Sequence, residues 1–299
     1  MGHGSYTSSD WTALRKSAGI SHTATANQIF TSRNMPENLN PRHIALREAR
    51  DSDDHPNSTP VMIGLDVTGS MGYLAEEIAK NSLNETMLKL YEMKPIPDPQ
   101  LMFAAIGDVT DRAPLQVTQF ESDIRIGKQL LQLWLEGQGG DGPEDYPLLW
   151  YFAARHTACD SWLIRKKPGY LITIGDADCH REIGATYFNR IFCGAQELNN
   201  LTAQKLAKEA GARFELFHIH LTSSISTRVP NLEAAIPGRI VYLPKNKVDH
   251  LPKLIISLMQ VSAGMDISVS AAQWGQSSGV IQSCLSSLQL RRGNAGFSF

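Results

Sequence analysis

The stretch VMIGLDVTGSMG, residues 61–72, joins an unbroken apolar run to three oxygen-bearing side chains. The run VMIGL is typical of a parallel strand that is buried on both faces. Asp66, Thr68 and Ser70 then follow at alternate positions, a spacing that suits neither a buried strand nor one face of a helix. The stretch therefore indicates a strand whose end supplies oxygen ligands.

Short apolar runs alternate with helical patterns from residue 58 onward. Strands are predicted over 61–67, 101–109, 169–177, 213–221 and 238–243, with a short edge strand over 113–120. Helices are predicted over 72–93, 122–137, 146–158, 200–212 and 248–263. This alternation predicts a Rossmann-like, doubly wound α/β fold with a mostly parallel sheet, one short antiparallel edge strand and helices on both faces.

Two segments fall outside this rhythm, so we expect three regions: an arm and linker over 1–57, a domain over 58–262 and a tail over 263–299. The arm contains one helical pattern, SDWTALRKSAGI, with Ser9 or Asp10 available as its cap. The tail is rich in Ser, Gln and Gly. We expect it to be flexible, or to become ordered only against the domain or a partner.

Composition and charge argue against several classes of function. The chain has 28 basic and 30 acidic residues and a net charge of −2, which argues against nucleic-acid binding driven by bulk charge. No apolar run reaches the roughly 18 residues that cross a bilayer, and the first residues lack the pattern of a secretory leader. The four cysteines are not closely spaced, so we expect free thiols and a cytoplasmic location, without a membrane or nucleic-acid partner.

Three polar loops are predicted at one edge of the sheet, because ligands of open α/β sheets bind beyond the carboxyl ends of the strands. The loops are residues 66–70, 139–145 and 175–178, with the sequences DVTGS, GGDGPED and GDAD. Clustered carboxylates repel one another unless a cation neutralises them. Hard oxygen ligands suit Mg²⁺ or the similar Mn²⁺.

DVTGSMG after a buried strand resembles the metal-ion-dependent adhesion site of von Willebrand factor type A (vWA) domains, whose first motif is Asp-x-Ser/Thr-x-Ser. The resemblance covers roughly residues 58–262 and includes all three loops in order. GGDGPED and GDADCH are most similar to the intracellular branch that is found beside alpha-kinases and in bacterial proteins.

The resemblance implies a set of metal ligands. Thr68 and Ser70 would supply hydroxyl ligands, and Asp66 and Asp176 would lie close to the ion, commonly through water. Asp141 occupies the loop where many members place a threonine ligand. A direct Asp141 ligand would add negative charge, hold the ion more tightly and weaken the capture of a partner's acidic group. Spacing leaves Asp141, Glu144 and Asp145 open as the third-loop ligand, with Asp141 favoured.

The same resemblance implies a protein-interaction module, an adaptor whose metal captures an acidic side chain of a partner such as an AAA+ ATPase or another effector. The alternative is a metal-dependent hydrolase that uses the same carboxylates, with Asp145 or Asp178 as the general base to a metal-bound water. DVTGSMG does not match the Gly-x-Ser-x-Gly elbow, because Thr68 stands at the position of the first glycine. GQGGDG lacks the Lys-Ser/Thr of a phosphate-binding loop, so neither stretch supports an enzyme.

Other interpretations are simpler. One of Asp66, Thr68 and Ser70 could cap the following helix, Asp176 could cap a helix or form a turn, and Asp141 could belong to a plain Gly-Asp-Gly turn. Asp108 and Asp111 are expected to be surface groups or to support the site without touching the ion. Four residues invite a zinc interpretation, but their spacing favours buried thiols and hydrogen-bonded histidines: His156, Cys159, Cys179 and His180.

Overall fold

The computed structural model describes residues 4–21, 23–137, 142–223 and 228–290, with only the backbone of Ser70. The strands are β1 (Arg47–Ala49), β2 (Thr59–Asp66), β3 (Pro99–Ile106), β4 (Leu115–Val117), β5 (Thr157–Cys159), β6 (Gly169–Gly175), β7 (Glu182–Ile183), β8 (Leu201–Thr202), β9 (Phe214–Thr222) and β10 (Ile240–Pro244). The helices are α1 (Ser8–Ser17), α2 (Ala26–Ile29), α3 (Gly72–Glu77), α4 (Leu83–Met93), α5 (Arg125–Leu130), α6 (Tyr146–Arg155), α7 (Asp160–Leu163), α8 (Ala185–Ile191), α9 (Ala203–Gly211), α10 (Pro230–Ala235), α11 (Leu251–Ser262), α12 (Ile267–Ala272) and α13 (Ser278–Leu285).

The central sheet has the strand order β10-β9-β6-β2-β3-β4. Every neighbouring pair is parallel except β3 and β4, which are antiparallel. The chain builds outward from β2 to β3 and β4, and then crosses back to add β6, β9 and β10 on the other side. The predicted α/β class, with one short antiparallel edge strand, is confirmed. The order reverses between β2 and β6, and crevices at such reversals bind ligands.

Alternate residues of the buried strands feed two separate cores, one on each face of the sheet. Val61, Ile63 and Leu65 face a core that also includes residues of α1, α3, α4 and α11. Met62 faces the second core, in which every residue from Tyr146 to Ala154 of α6 is buried. A Cβ at Gly64 would overlap the Leu149 side chain, so this glycine allows α6 to approach β2 closely.

The helix predicted over 122–137 is much shorter, because only Arg125–Leu130 is helical. Beyond it, the Gln116 side chain donates to the carbonyl of Trp134 at 2.8 Å and accepts from its N–H at 2.9 Å. These bonds hold the segment against β4 in a non-helical form. The helix predicted over 72–93 is interrupted by a π-helical segment, Ile78–Ser82, between α3 and α4.

The arm and the described part of the tail both contact the domain. The predicted arm helix is present as α1, but its cap is Thr7 rather than Ser9 or Asp10, and its Trp11 is buried. The tail forms α12 and α13, and Ile281 of α13 is fully buried. Beyond α13, the Ser287 hydroxyl donates to the Ile240 carbonyl of β10 at 2.7 Å.

Within the described ranges, no helix combines the length and the apolar character that crossing a bilayer requires.

Candidate metal centre

Asp66 ends β2, and its carboxylate is fully buried. Its Oδ1 accepts hydrogen bonds from the Thr68 N–H at 2.9 Å and from the Thr68 hydroxyl at 2.6 Å. Among the described atoms, neither side chain caps the helical turns that follow, which argues against the simple capping interpretation. The Ser70 side chain lies outside the described part of the structure.

The loop before α6 brings Glu144 to the first motif. Thr68 Oγ1 lies 2.7 Å from Glu144 Oε1, and this contact joins two loops that are distant in the sequence. Asp145 faces elsewhere: it accepts from the Val109 N–H at 2.7 Å and lies 3.0 Å from His180 Nδ1. Asp141 lies outside the described residues. Of the two described candidates for the third-loop ligand, Glu144 is therefore the one that contacts the first motif.

Asp176 directly follows β6, the strand that pairs with β2. Its Oδ2 forms an ion pair with Lys245, which comes just after β10. The hydroxyl of Tyr146 lies 3.4 Å from Asp66 Oδ2 and also 3.4 Å from the Ala177 carbonyl. A Cβ at Gly175 would overlap that hydroxyl, so the glycine lets Tyr146 lie over the end of β6.

Burial controls the electrostatics of this edge. Burial, together with the negative charge of Asp176, raises the pKa of Asp66 to about 6, although hydrogen bonds from Thr68 oppose the shift. Burial and the negative charge of Asp66 together raise the pKa of Glu144 to about 8. Like charges at close range and a dry environment thus disfavour the ionised forms. A bound cation would favour them.

Several buried polar atoms near this edge lack a hydrogen-bond partner among the described residues. One is Oε2 of Glu144, and the others are Nε2 of His218 and both ring nitrogens of His220. His218 packs against Tyr146, with their ring centroids 4.7 Å apart, and its Nδ1 lies 2.9 Å from the Thr173 hydroxyl. Buried polar groups are normally paired, so these atoms mark a place that the described residues leave incompletely satisfied.

The residues of the hydrolase alternative are engaged in structural bonds. The Asp178 carboxylate accepts from the backbone N–H groups of Cys179, Asn231 and Leu232, at 2.9, 3.0 and 2.9 Å, so it caps the first turn of α10. Asp145 is fully buried between Val109 and His180. Both carboxylates are therefore already held by hydrogen bonds within the fold.

No preformed metal cluster is present in the described ranges: they hold no group of three or more His, Cys, Asp or Glu side chains arranged to bind an ion. The four cysteines all lie in these ranges and are free thiols. The Oδ2 atom of Asp176 is paired with Lys245, so a cation at Asp66 would compete with this lysine for the carboxylate.

The strand next to β2 carries a second Asp-Val-Thr turn, which the sequence interpretation did not connect with the first. Oδ1 of Asp108 accepts from the N–H of Thr110 at 2.6 Å and from its hydroxyl at 2.5 Å, as Asp66 does from Thr68. Asp108 is buried, so of its two expected roles the surface position is wrong, and a group that supports the site without touching the ion stays the prediction. The repeated Asp-Val-Thr tripeptide, at the end of β2 and near the end of β3, is the sequence signal by which the second turn could have been found. No comparable signal in the sequence pointed to Lys245 as the partner of Asp176.

The fold and the site define an α/β protein with buried carboxylates at the edge of the sheet where its strand order reverses. The chain matches no protein-family model and no curated protein. It is similar to a solved von Willebrand factor type A structure from Catenulispora acidiphila, with 12% identity and a TM-score of 0.44, over 77% of this chain and 50% of that chain.

Two further solved structures are similar at the same level. The pilus adhesin SpaC from Lactobacillus rhamnosus GG, in its open conformation, has 8% identity and a TM-score of 0.42, over 71% of this chain and 31% of the adhesin. Proximal thread matrix protein 1 from the mussel byssus has 13% identity and a TM-score of 0.41, over 71% of this chain and 49% of that protein. This chain thus spans half or less of each of the three proteins. A vWA domain is among the similar structures, whereas the adhesion site and the intracellular branch stay predictions.

Proposed function

We propose that the protein is a metal-dependent protein-interaction module whose Mg²⁺ or Mn²⁺ site lies at the carboxyl edge of the sheet. Asp66, Thr68, Ser70 and Asp176 would hold the ion, with Asp141 or Glu144 from the third loop. The observation that carries the proposal is the contact of Thr68 with both Asp66 and Glu144, beside Asp176, from loops far apart in the sequence. When bound, the ion would supply an electrophilic centre for an acidic group of a partner.

The donor set fits a hard divalent cation. It consists of carboxylates and hydroxyls, which Mg²⁺ and Mn²⁺ prefer over the nitrogen and sulfur ligands of zinc sites. The buried Oε2 of Glu144, unpaired among the described residues, is a further oxygen that a cation could satisfy. Repulsion between the buried carboxylates would fall when the positive charge enters.

The partner that we propose is a protein which offers an aspartate or glutamate to the ion. An AAA+ ATPase or another effector is the candidate that the family resemblance supports. We propose a cytoplasmic location, because all four cysteines are free thiols, three of them buried. The structural bonds of Asp145 and Asp178 disfavour the hydrolase alternative.

Calorimetric titration of Mg²⁺ tests the metal site. The wild type should bind the ion in a saturable manner, and Asp66→Ala should abolish binding because it removes the carboxylate that joins Thr68 to the site. Asp54→Asn removes an exposed acid elsewhere and should leave binding unchanged. Equal titrations for all three proteins would reject the site. An affinity capture with and without chelator then tests whether a partner depends on the ion.

A further inference from the structure

A cavity of about 580 Å³ lies between α1 and the helical stretch that contains the π-helical segment. Its volume is within the range of about 300–1,000 Å³ that is usual for small-molecule sites. Each wall presents residues at positions i, i+1, i+4 and i+5 of a helix: Trp11, Thr12, Arg15 and Lys16 on one side, and Lys80, Asn81, Asn84 and Glu85 on the other. In α1 this spacing places the set on one face of the helix, because residues four apart are neighbours there.

Some charged side chains that line the cavity have a partner of opposite charge among the described residues, and others do not. Lys80 is buried and pairs with Glu76 at 2.5 Å, and Glu85 lies 3.9 Å from Lys253. Arg15 donates a long hydrogen bond of 3.4 Å to the Ile20 carbonyl, and within the described residues neither it nor Lys16 has an acidic partner. The α1 wall therefore presents two adjacent positive charges to the cavity.

The opposite wall is built by an unusual local structure. The segment Ile78–Ser82 is π-helical, and such turns are rare and frequently found at functional sites. Lys80 and Asn81 both belong to this turn and both line the cavity. The turn therefore places a buried ammonium group and a side-chain amide opposite Arg15 and Lys16.

We propose that this cavity binds a small molecule that carries phosphate groups. The arginine can bind phosphate oxygens with two parallel hydrogen bonds, Lys16 supplies a further positive charge, and the amide of Asn84 supplies a neutral donor. The site is separate from the proposed metal site, because the two share no residue.

Titration of inorganic pyrophosphate into the full chain, in the presence of chelator, tests this site. The wild type should bind it, and Arg15→Gln/Lys16→Gln should weaken binding by about tenfold or more, because two charge-assisted contacts are lost. Lys167→Gln/Lys205→Gln removes the same charge from exposed positions elsewhere and should change affinity by less than about twofold, as expected for screened distant charges.

The proposal would be overturned by no binding of pyrophosphate by the wild type, by an equal loss in both double variants, or by binding of a single-stranded oligonucleotide without binding of pyrophosphate. Arg15 and Lys16 lie in the last turn of α1, where they also complement the helix dipole. A lower melting temperature of the first double variant with unchanged pyrophosphate affinity would leave them only that role, and would also overturn the proposal.

Discussion

The hydroxyl of Thr68 has one proton and two carboxyl neighbours, at 2.6 Å and 2.7 Å. It can donate to only one of them, so the second short contact needs another proton. Because the pKa of Glu144 is raised to about 8, its carboxyl group is protonated at neutral pH and provides that second proton. Glu144 then donates to Thr68, and Thr68 donates to Asp66. A cation that enters here would take the place of that proton.

Lys245 would compete with the ion for the carboxylate of Asp176, because the two side chains form an ion pair. We expect Lys245→Gln to strengthen Mg²⁺ binding about two- to fivefold, since a partly exposed ion pair contributes no more than ~1 kcal/mol. Calorimetry measures the change, and Lys247→Gln, at an exposed position in the same segment, is the matched control. Equal affinities for wild type and Lys245→Gln would show that the lysine does not compete, while the absence of binding in both would reject the metal site itself.

Among the elements, β9 carries two buried histidines whose pKa values are lowered by burial, His218 most strongly. The unfolded chain titrates near the ordinary value of about 6.5. Below that pH the unfolded state therefore binds more protons than the folded state. The stability that the two neutral histidines contribute is complete above that pH and is lost as the pH falls.

Replacing His220 by Phe should reduce the loss of stability between pH 7.5 and pH 5.5. The reduction is at most about 1.4 kcal/mol, the free energy of protonating one unfolded imidazole one pH unit below its ordinary pKa. Denaturant unfolding at the two pH values measures it. His43→Gln changes an exposed histidine and should leave the wild-type difference intact, and the same difference in His220→Phe would contradict this role.

Secondary structure was predictable from the sequence where one pattern dominated. The unbroken apolar runs of β2 and β6 identified buried parallel strands, and their polar ends predicted the edge of the sheet where the candidate site lies. The end of α5 was not predictable, because it depends on bonds from Gln116, a residue of another element. The ion pair of Asp176 with Lys245 was hidden for the same reason, since the two residues meet only when the sheet is assembled.

For the whole molecule, the arm and the tail extend the core of the domain. Trp11 of α1 and Ile281 of α13 belong to the same buried cluster as Val61 and Ile63 of β2. The regions proposed from composition are thus joined by shared apolar contacts. Burial of this kind stabilises a fold in proportion to the apolar area removed from water.

Ile281→Ala should therefore lower the free energy of unfolding by about 2–5 kcal/mol, the usual cost of removing a buried branched side chain. Val269→Ala, at a position that is 55% exposed in α12, should change it by less than about 0.5 kcal/mol. Urea unfolding of both variants provides the comparison. A small effect at Ile281 would mean that the tail contributes little to the core.

The hydrogen bond from Ser287 to β10 affects how this edge of the sheet can contact other molecules. β10 is the last strand of its sheet on that side, and such a rim can template strands from other molecules. The Ser287 hydroxyl occupies the Ile240 carbonyl, and the Gln289 N–H occupies the Gly238 carbonyl at 2.9 Å. The described part of the tail thus covers one carbonyl of this edge strand and one just before it, which leaves less of the rim free to pair with a strand of another molecule.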